Sequence, residues 1–438
     1  MLKFIREYQL LIVVTIIVVI AGLASSLIAY VLIPLAFVLF MVRGYHKEVL
    51  LFFYMILVFS DNNNLEFASK IKPLLIILFA AFSLKHGSLR AGNKVFKPFA
   101  IFFVYTLVLL WFSPDLMRSF QKNLSYILLF LTIPGYTVYL IDKYGSKVIM
   151  DMVNLSVVIM VIGLVFTLLF PEIAYSHGGR LRGILGNPKG LAMFCFFNLL
   201  LFQLFKDHLD DSWLSKVDRI IIIGIILVTL VLTGSRTSWL AVLIFLFFRQ
   251  FSRIPPMISF LLLATIVWAY DYIFIVGVAF VTELGLTKQF RLNESEAVGF
   301  ASGRTVAWKY AWQEIQKNYF FGRGWAYDEI WIFGPVQETL KLLNHQGGVH
   351  NTFLIIWLNT GIIGLIIYGI SLFYVFLKAA RNSMLALPIL FAGLFVANFE
   401  PWLGSSLNPY TIQFLICLAV ILHLPKIREN EKNGFVKA

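Results

Sequence analysis

Apolar runs recur along almost the whole chain, from residue 10 to residue 424. A helix needs about 20 predominantly apolar residues to cross a bilayer, so a chain of this length accommodates roughly a dozen crossings. Hydrophobic residues make up 60% of the 438 residues and charged residues only 13%, a balance that excludes a water-soluble protein. The sequence therefore predicts an all-α fold, a polytopic membrane helical bundle with about 12–14 transmembrane segments.

The predicted spans are separated by short polar loops, and several are shorter than a full crossing, so some are expected to be tilted or joined. They lie at residues 10–24, 27–42, 49–60, 71–84, 98–112, 123–141, 148–170, 186–205, 219–233, 236–248, 257–281, 351–377, 384–399 and 409–424. The chain is expected to divide into an N-terminal transmembrane bundle (residues 1–281), one long loop (residues 282–350), C-terminal transmembrane helices (residues 351–424) and a tail (residues 425–438).

Basic residues predict the orientation of the chain, because cytoplasmic loops of membrane proteins carry an excess of lysine and arginine. With a cytoplasmic N-terminus, the even-numbered short loops and both termini hold most of the basic residues that lie outside the long loop. Long loops are translocated regardless of charge. Both termini are therefore predicted to be cytoplasmic and the long loop to be outside. This orientation explains most of the net charge of +13 without a nucleic-acid partner.

The long loop contains a predicted amphipathic helix, and Ser302 is suited to cap its N-terminus. Apolar side chains follow at helical spacing, namely Trp308, Trp312, Ile315 and Tyr319. Polar side chains are expected on the other faces, namely Lys309, Gln313, Glu314 and Lys317. Such a helix either lies on the membrane surface or covers a cavity.

The first candidate site is residues 179–190, at the predicted outer start of a span. Arg180, Arg182 and Lys189 supply three cations, and the glycines between them allow close backbone approach. Asn187 precedes a helix whose N-terminal amides attract anions. This combination suits a phosphate. The alternative is a basic anchor that contacts lipid headgroups, and composition alone favours neither.

Three more arginines lie on the predicted outer face. Arg236 belongs to a tight polar turn, residues 233–238, between two apolar runs. A cation at the membrane centre costs roughly 2.5–3.5 kcal/mol, so a buried Arg236 is expected to bind an anion. The alternative is that its side chain reaches the headgroups. Arg304 lies one helical turn before Trp308, and Arg323 lies between two glycines after the same helix.

His350 and Asn351 are found where the long loop re-enters the membrane. Imidazole titrates near neutral pH and can act as an acid or a base, although a lone histidine is more often structural. Asp271 is a further candidate, because a carboxylate within an apolar run is costly. The two cysteines, Cys195 and Cys417, lie far apart in apolar runs, which predicts packing rather than a metal site or a disulfide. No metal and no cofactor are expected.

These pieces, in this order, resemble the O-antigen ligase and polymerase family of bacterial envelope enzymes. The resemblance rests on residues 182–192 (RGILGNPKGLA), the Gly-Ser-Arg that ends at Arg236, the helix near Arg304, the turn around Arg323, and His350-Asn351 followed, after nine residues, by Gly-Ile-Ile-Gly. Together with the hydropathy profile, these pieces cover residues 171–365. Their order, more than any single motif, carries the resemblance.

The resemblance implies the fold of the all-helical type C membrane glycosyltransferases, in the bacterial inner membrane. It also implies a donor glycan on undecaprenyl diphosphate and metal-independent transfer at the periplasmic face. Carried onto this chain, Arg182 and Arg236 hold the diphosphate, and His350 acts on the acceptor hydroxyl. Arg180 and Arg304 are further candidates for binding the diphosphate. Secondary candidates are Asn187, Lys189, Arg323, Asn351 and Asp271, and Lys189 stands where the family tolerates many residues.

Three functions remain open at this point. The spacing after His350 looks like the ligase branch, whose acceptor is the lipid A core oligosaccharide. A polymerase would instead extend a glycan that is still attached to undecaprenyl diphosphate. A lipid-linked oligosaccharide transporter or flippase is expected to place charged residues deep in several spans and to show internal symmetry. The candidates here are concentrated on one predicted face instead.

Overall fold

The structure, a computed structural model, describes residues 2–176, 179–209, 214–252, 254–269, 304–343, 347–405 and 407–432, with residues 272, 276 and 283 in addition. Helices make up most of these residues, which confirms the all-α fold that the sequence predicts. Within the described ranges the strands form one two-stranded antiparallel hairpin. In this hairpin Tyr175 lies opposite Leu181.

The helices follow one another along the chain with short connections. They are α1 (Leu2–Glu7), α2 (Gln9–Ala24), α3 (Ser26–Val42), α4 (His46–Phe59), α5 (Glu66–Lys85), α6 (Leu89–Val108), α7 (Leu116–Tyr144), α8 (Lys147–Leu169), α9 (Pro171–Ala174), α10 (Pro188–His208), α11 (Lys216–Leu232), α12 (Arg236–Gln250), α13 (Pro256–Trp268), α14 (Arg304–Lys317), α15 (Tyr327–Ile332), α16 (Gln337–Leu342), α17 (Thr352–Ala380), α18 (Ala386–Phe399) and α19 (Pro409–Lys432). Short 3-10 turns lie at Asn63–Leu65 and Leu109–Phe112, and the hairpin strands are β1 (Tyr175–Ser176) and β2 (Arg180–Leu181).

Each of the fourteen predicted spans coincides with a helix, although the end of the span predicted at 257–281 lies outside the described residues. Among the described residues, seven helices are long and apolar enough to cross a membrane, and four shorter apolar helices of 10–17 residues accompany them. The chain is therefore a multi-pass membrane protein. The predicted total of 12–14 crossings, the orientation and the predicted domain boundaries stay predictions.

The chain divides into two compact units that interleave along the sequence. The first unit comprises Met1–Lys97, Ser125–Trp239 and Leu407–Ala438, and the second comprises Pro98–Leu124 and Leu240–Ser406. In the first unit α10 and α19 are the most deeply buried of the candidate spans and pack on each other. Both helices are buried on almost all sides, as expected for helices in the middle of a bundle.

In the second unit, α17 is broken at Gly361, whose φ of 68° and ψ of 179° leave the helix. At the break, backbone amides of α17 lose their partners within the helix. The segment after α14 supplies an acceptor: Ile362 N–H donates to the carbonyl of Tyr319 at 2.9 Å. The turn around Arg323 packs on the same break. An ideal Cβ on Gly322 would lie 2.5 Å from the carbonyl oxygen of Asn359. The two glycine motifs noted in the sequence therefore form one joint between α17 and the long loop.

A buried ion pair reinforces this joint. The Nζ atom of Lys122 on α7 lies 3.0 Å from an Asp328 oxygen and 2.9 Å from a Glu329 oxygen. Asn359 Nδ2 also donates to Asp328, at 2.8 Å. Because a buried charge is costly unless it is paired and hydrogen-bonded, this network holds α15 against α7 and α17.

The amphipathic helix of the long loop is confirmed as α14, but its predicted apolar face is partly wrong. Trp312 and Tyr319 are 39% and 37% exposed, whereas Glu314, expected on a polar face, is only 7% exposed. The buried face is instead built on small residues, Ala307 and Ala311, which allow close approach to α17. Burial of Glu314 is possible because polar partners compensate its charge. The predicted cap Ser302 lies outside the described residues.

Candidate active site

In the first unit, Arg180 joins two of the motifs that the sequence analysis treats separately. It lies on β2, and its Nε donates to the carbonyl oxygen of Thr233 at 2.8 Å. The next residue, Gly234, has a φ of 59°, and its Cβ position lies 3.6 Å from the same Nε. Arg180 therefore contacts the turn that immediately precedes Arg236.

Arg182 is held by backbone contacts on the other side of this loop. Its N–H donates to the carbonyl of Ala174, and its Nε donates to the carbonyl of Ile173, both at 2.8 Å. The side chain is partly exposed. Because the anchoring bond uses Nε, the planar pair of Nη nitrogens can be offered to an oxyanion in the bidentate geometry that arginine favours.

Arg236 is the first residue of α12 and is partly exposed. Hydroxyl groups stabilise the turn before it: Ser235 N–H donates to Thr233 Oγ1, and Ser235 Oγ lies 3.3 Å from Ser238 Oγ. The polar residues of the predicted motif thus hydrogen-bond to one another and fix the backbone from which the Arg236 side chain extends.

Asn187 precedes α10, as the sequence predicts, and its side chain contacts the first turn of that helix. Its side chain caps α10 and accepts a hydrogen bond from Gly190 N–H at 2.7 Å. Pro188 follows as the first helical residue, where its missing N–H costs nothing. One of the N-terminal amides is therefore already used within the protein. Lys189 lies partly exposed on the same first turn.

Sequence analysis missed Asp61, which packs under this loop. Its carboxylate accepts hydrogen bonds from Gly186 N–H at 3.1 Å and from the Tyr410 hydroxyl at 3.3 Å. Desolvation raises the pKa of the Asp61 carboxyl above its usual range, more than these bonds and Lys72 lower it. An ideal Cβ on Gly186 would lie 1.9 Å from the Asp61 carbonyl oxygen. Gly186 is therefore needed for backbone contact with Asp61.

The second unit contains a cluster that centres on Glu400, a residue that sequence analysis also missed. Glu400 forms an ion pair with Arg304, and each side chain is only 6% exposed. The other carboxylate oxygen lies 3.5 Å from Nδ1 of His350, whose side chain is 22% exposed. Glu400 therefore lies between a guanidinium and an imidazole.

Three elements position this cluster. Arg304 opens α14, Glu400 follows the last residue of α18, and His350 lies just before α17. The Thr352 hydroxyl donates to the Glu400 carbonyl at 2.9 Å. Asn351 caps α17 by accepting hydrogen bonds from two backbone amides, which explains the asparagine next to His350 in structural terms.

The backbone at His350 is unusual for a residue that is not glycine. Its φ is 49°, in the left-handed region, which costs roughly 1–2 kcal/mol for an L-residue. The preceding segment is held in place by Trp308, whose Nε1 donates to the Val349 carbonyl at 2.8 Å. An ideal Cβ on Gly347 would lie 3.0 Å from Nε2 of His350. A side chain at position 347 would therefore crowd this nitrogen.

Comparison with known proteins bears on this arrangement. Residues 221–369 match the family described as O-antigen ligase. This stretch of the chain is therefore similar to the O-antigen ligase family. The match confirms the resemblance seen in the sequence and indicates a membrane enzyme of the ligase or polymerase type. No curated protein matches the chain.

The matched stretch contains Arg236, Arg304, Arg323 and His350. It begins after Arg180 and Arg182, and it ends before Glu400. The residues of the two candidate clusters, one in each unit, therefore lie partly inside the matched stretch and partly outside it. The sequence does contain a signal for Glu400: it is a carboxylate at the end of an apolar run, and it lies on the same predicted outer face as His350.

Two secondary candidates of the matched stretch, Arg323 and Asp271, remain. Arg323 is 39% exposed, its Nε lies 3.5 Å from Glu314, and its guanidinium lies 5.4 Å from the ring centre of Tyr327. Asp271 lies outside the described residues. Within the described ranges no group of three or more histidine, cysteine, aspartate or glutamate side chains is arranged to hold a metal ion. Metal independence stays a prediction.

Proposed function

We propose that this protein is an O-antigen ligase of the bacterial inner membrane, with both termini in the cytoplasm. It transfers a glycan from undecaprenyl diphosphate to the lipid A core oligosaccharide at the periplasmic face, without a metal. The contact of His350 with Glu400, in a chain whose residues 221–369 match the O-antigen ligase family, is the observation that supports this most. A histidine paired with a carboxylate is an arrangement that recurs in general-base catalysis.

The proposed donor chemistry uses arginine in place of a metal. Breaking the bond between the anomeric carbon and the diphosphate leaves negative charge on the departing oxygen. Fixed guanidinium groups stabilise such charge and bind phosphate oxygens in pairs. Arg182 and Arg236 are assigned this role, with Arg180 as a further contact, because Arg180 and Arg182 are anchored through Nε to backbone carbonyls.

The proposed acceptor chemistry uses His350. Its Nε2 takes the proton of the acceptor hydroxyl while the acceptor oxygen attacks the anomeric carbon. The bond from that carbon to the diphosphate breaks, and undecaprenyl diphosphate leaves with the bonding electrons. Such direct displacement inverts the configuration at the anomeric carbon. Glu400 stabilises the imidazolium that forms and favours the tautomer with the proton on Nδ1.

Arg304 is given a new role in this proposal. The family resemblance makes Arg304 a further candidate for binding the diphosphate, and that role stays a prediction. Its side chain is buried and paired with Glu400, so binding a second anion would require that pair to break. We therefore assign Arg304 to orienting Glu400, which makes it a positioning residue.

The proposal is tested with purified protein, lipid-linked glycan and lipid A core in detergent, with glycan-capped product scored on a gel. We expect His350→Ala and Arg236→Ala each to lower transfer by about 100-fold or more. Lys309→Ala, on an exposed position of α14, is the matched control and keeps the wild-type rate. Folded His350→Ala and Arg236→Ala variants with wild-type transfer would contradict the assignment.

Two further measurements separate the alternatives. A deletion strain of a ligase accumulates long lipid-linked chains and shows bare lipid A core, whereas a polymerase deletion shows single repeat units on the core. A chelator is expected to leave transfer unchanged. Strong inhibition by chelator that magnesium reverses would overturn the metal-independent mechanism.

A further inference from the structure

A cavity in the long loop lies apart from the His350 cluster within the second unit. Its volume is about 510 Å³, within the range of about 300–1,000 Å³ that is usual for small-molecule sites. Helices α14, α15 and α16 form its walls. The loop around it is predicted to be periplasmic, on the side where the proposed reaction takes place.

One face of α14 is directed to this cavity. Tyr310, Gln313, Glu314 and Lys317 line it, and their spacing of three and four residues places them on one side of a helix. The neighbouring face of α14, with Ala307 and Ala311, packs into the apolar core of the loop. The helix thus combines a packing face with a polar face that lines an opening.

The polar groups of the cavity are held in place before any ligand binds. Glu314 is 7% exposed and accepts hydrogen bonds from the Tyr327 hydroxyl and from Lys317, both at 2.7 Å. Arg323 Nε lies 3.5 Å from the same carboxylate. These partners outweigh desolvation and keep the pKa of Glu314 below its usual range. The cavity therefore presents a fixed, ionised carboxylate.

We propose that this cavity binds one or two pyranose residues of a glycan. Carboxylate, guanidinium and carboxamide groups can each engage neighbouring hydroxyls through paired hydrogen bonds, and Glu314, Arg323 and Gln313 supply all three. Tyr310 and Tyr327 supply aromatic rings, whose negative faces attract the polarised C–H groups of a sugar. A free phosphate or a lipid headgroup suits the cavity less, because the two cations that line it, Lys317 and Arg323, are already paired with the Glu314 carboxylate.

The identity of the glycan rests on the proposed function, since the ligase has two glycan substrates. The polysaccharide of the donor and the core oligosaccharide of the acceptor share the pyranose chemistry that the cavity would recognise. Binding of a glycan can nevertheless be measured without transfer, so the two proposals fail in different ways.

The experiment uses full-length protein in nanodiscs and two probes without lipid or diphosphate: released O-antigen polysaccharide and released core oligosaccharide. Affinity is measured by calorimetry, and inorganic phosphate and anionic lipid vesicles serve as competitors. We expect one of the two glycans to bind and Glu314→Gln to weaken it at least tenfold. Gln313→Ala, at an exposed position that cannot disrupt the core, is expected to weaken it about threefold. Lys309→Ala, at an exposed position of α14 that does not line the cavity, leaves binding unchanged.

Transfer kinetics provide the second readout. Gln313→Ala is expected to raise KM for the bound glycan while kcat stays within twofold of the wild-type value. His350→Ala is expected to bind the glycan normally, even if the proposed mechanism is wrong. The inference is overturned if neither glycan binds, if Gln313→Ala and Glu314→Gln bind as the wild type does, or if phosphate or vesicles displace the glycan completely.

Discussion

The arginines of the two units are held in different ways. In the first unit, Nε of Arg180 and Nε of Arg182 donate to backbone carbonyls. In the second unit, Arg304 pairs with the carboxylate of Glu400. A carbonyl oxygen fixes a guanidinium without cancelling its charge, whereas a carboxylate cancels it. Arginines with similar predicted roles are therefore suited to different functions. Those of the first unit are suited to binding an anion, and Arg304 of the second unit is suited to orienting a carboxylate.

The largest effect on stability is expected where the second unit buries a charge. Lys122→Ala leaves Asp328 and Glu329 without their shared cation, and breaking a buried ion pair costs about 3–5 kcal/mol. Thermal unfolding in detergent measures the loss. Lys70→Ala, in an exposed pair with Glu66 on α5, is the matched control and should change stability by less than about 1 kcal/mol. Equal effects of the two variants would show that burial does not distinguish these pairs.

Glu400→Gln tests the second unit's task directly. The amide keeps the size of the carboxylate but cannot stabilise an imidazolium, so transfer should fall by about 100-fold. Donor affinity should remain that of the wild type. If donor affinity fell and the rate at saturation did not, Glu400 and Arg304 would belong to donor binding.

Arg182→Lys tests the first unit's task. Lysine keeps the positive charge but loses the planar pair of donors, so donor affinity should fall by about tenfold, with a smaller effect on the rate at saturating donor. Direct binding of lipid-linked glycan measures the change. Arg304→Lys serves as the comparison, because it should leave donor affinity intact and lower the transfer rate. The opposite pattern would reverse the roles assigned to the two units.

The smallest effect on stability is expected at Asp61, a carboxylate of the first unit that accepts hydrogen bonds from a backbone amide and a hydroxyl. Because its pKa is raised in the folded protein, its stabilising contribution is complete below the ordinary value of 3.8 and is lost as the pH rises through the folded pKa. Asp61→Asn should therefore be more stable than the wild type at pH 7, and the difference should shrink towards pH 4. Thermal unfolding over this range would contradict the raised pKa if the difference grew on acidification.

Much of the fold could be predicted because spans and helices are local. The apolar runs predicted all fourteen helical positions, and residue type, position on the predicted outer face and the family resemblance together identified Arg182, Arg236 and His350 as candidates. Asp61 and Glu400 were missed because their contacts join distant parts of the chain: Gly186 lies 125 residues from Asp61, and Arg304 lies 96 residues from Glu400. The burial of Glu314 was missed for a related reason, since Tyr327 and Arg323 compensate its charge from outside its helix.

Separate measurement of donor binding and transfer tests most directly whether the two units have different tasks. Lipid-linked glycan would be titrated against protein in nanodiscs, and single-turnover transfer to lipid A core would be followed on the same samples. We expect His350→Ala to bind the donor with wild-type affinity and to transfer at least about 100 times more slowly. Arg236→Ala should lose donor affinity at the same time as transfer. A His350→Ala protein that is folded and transfers at the wild-type rate would contradict the assignment of catalysis to this cluster.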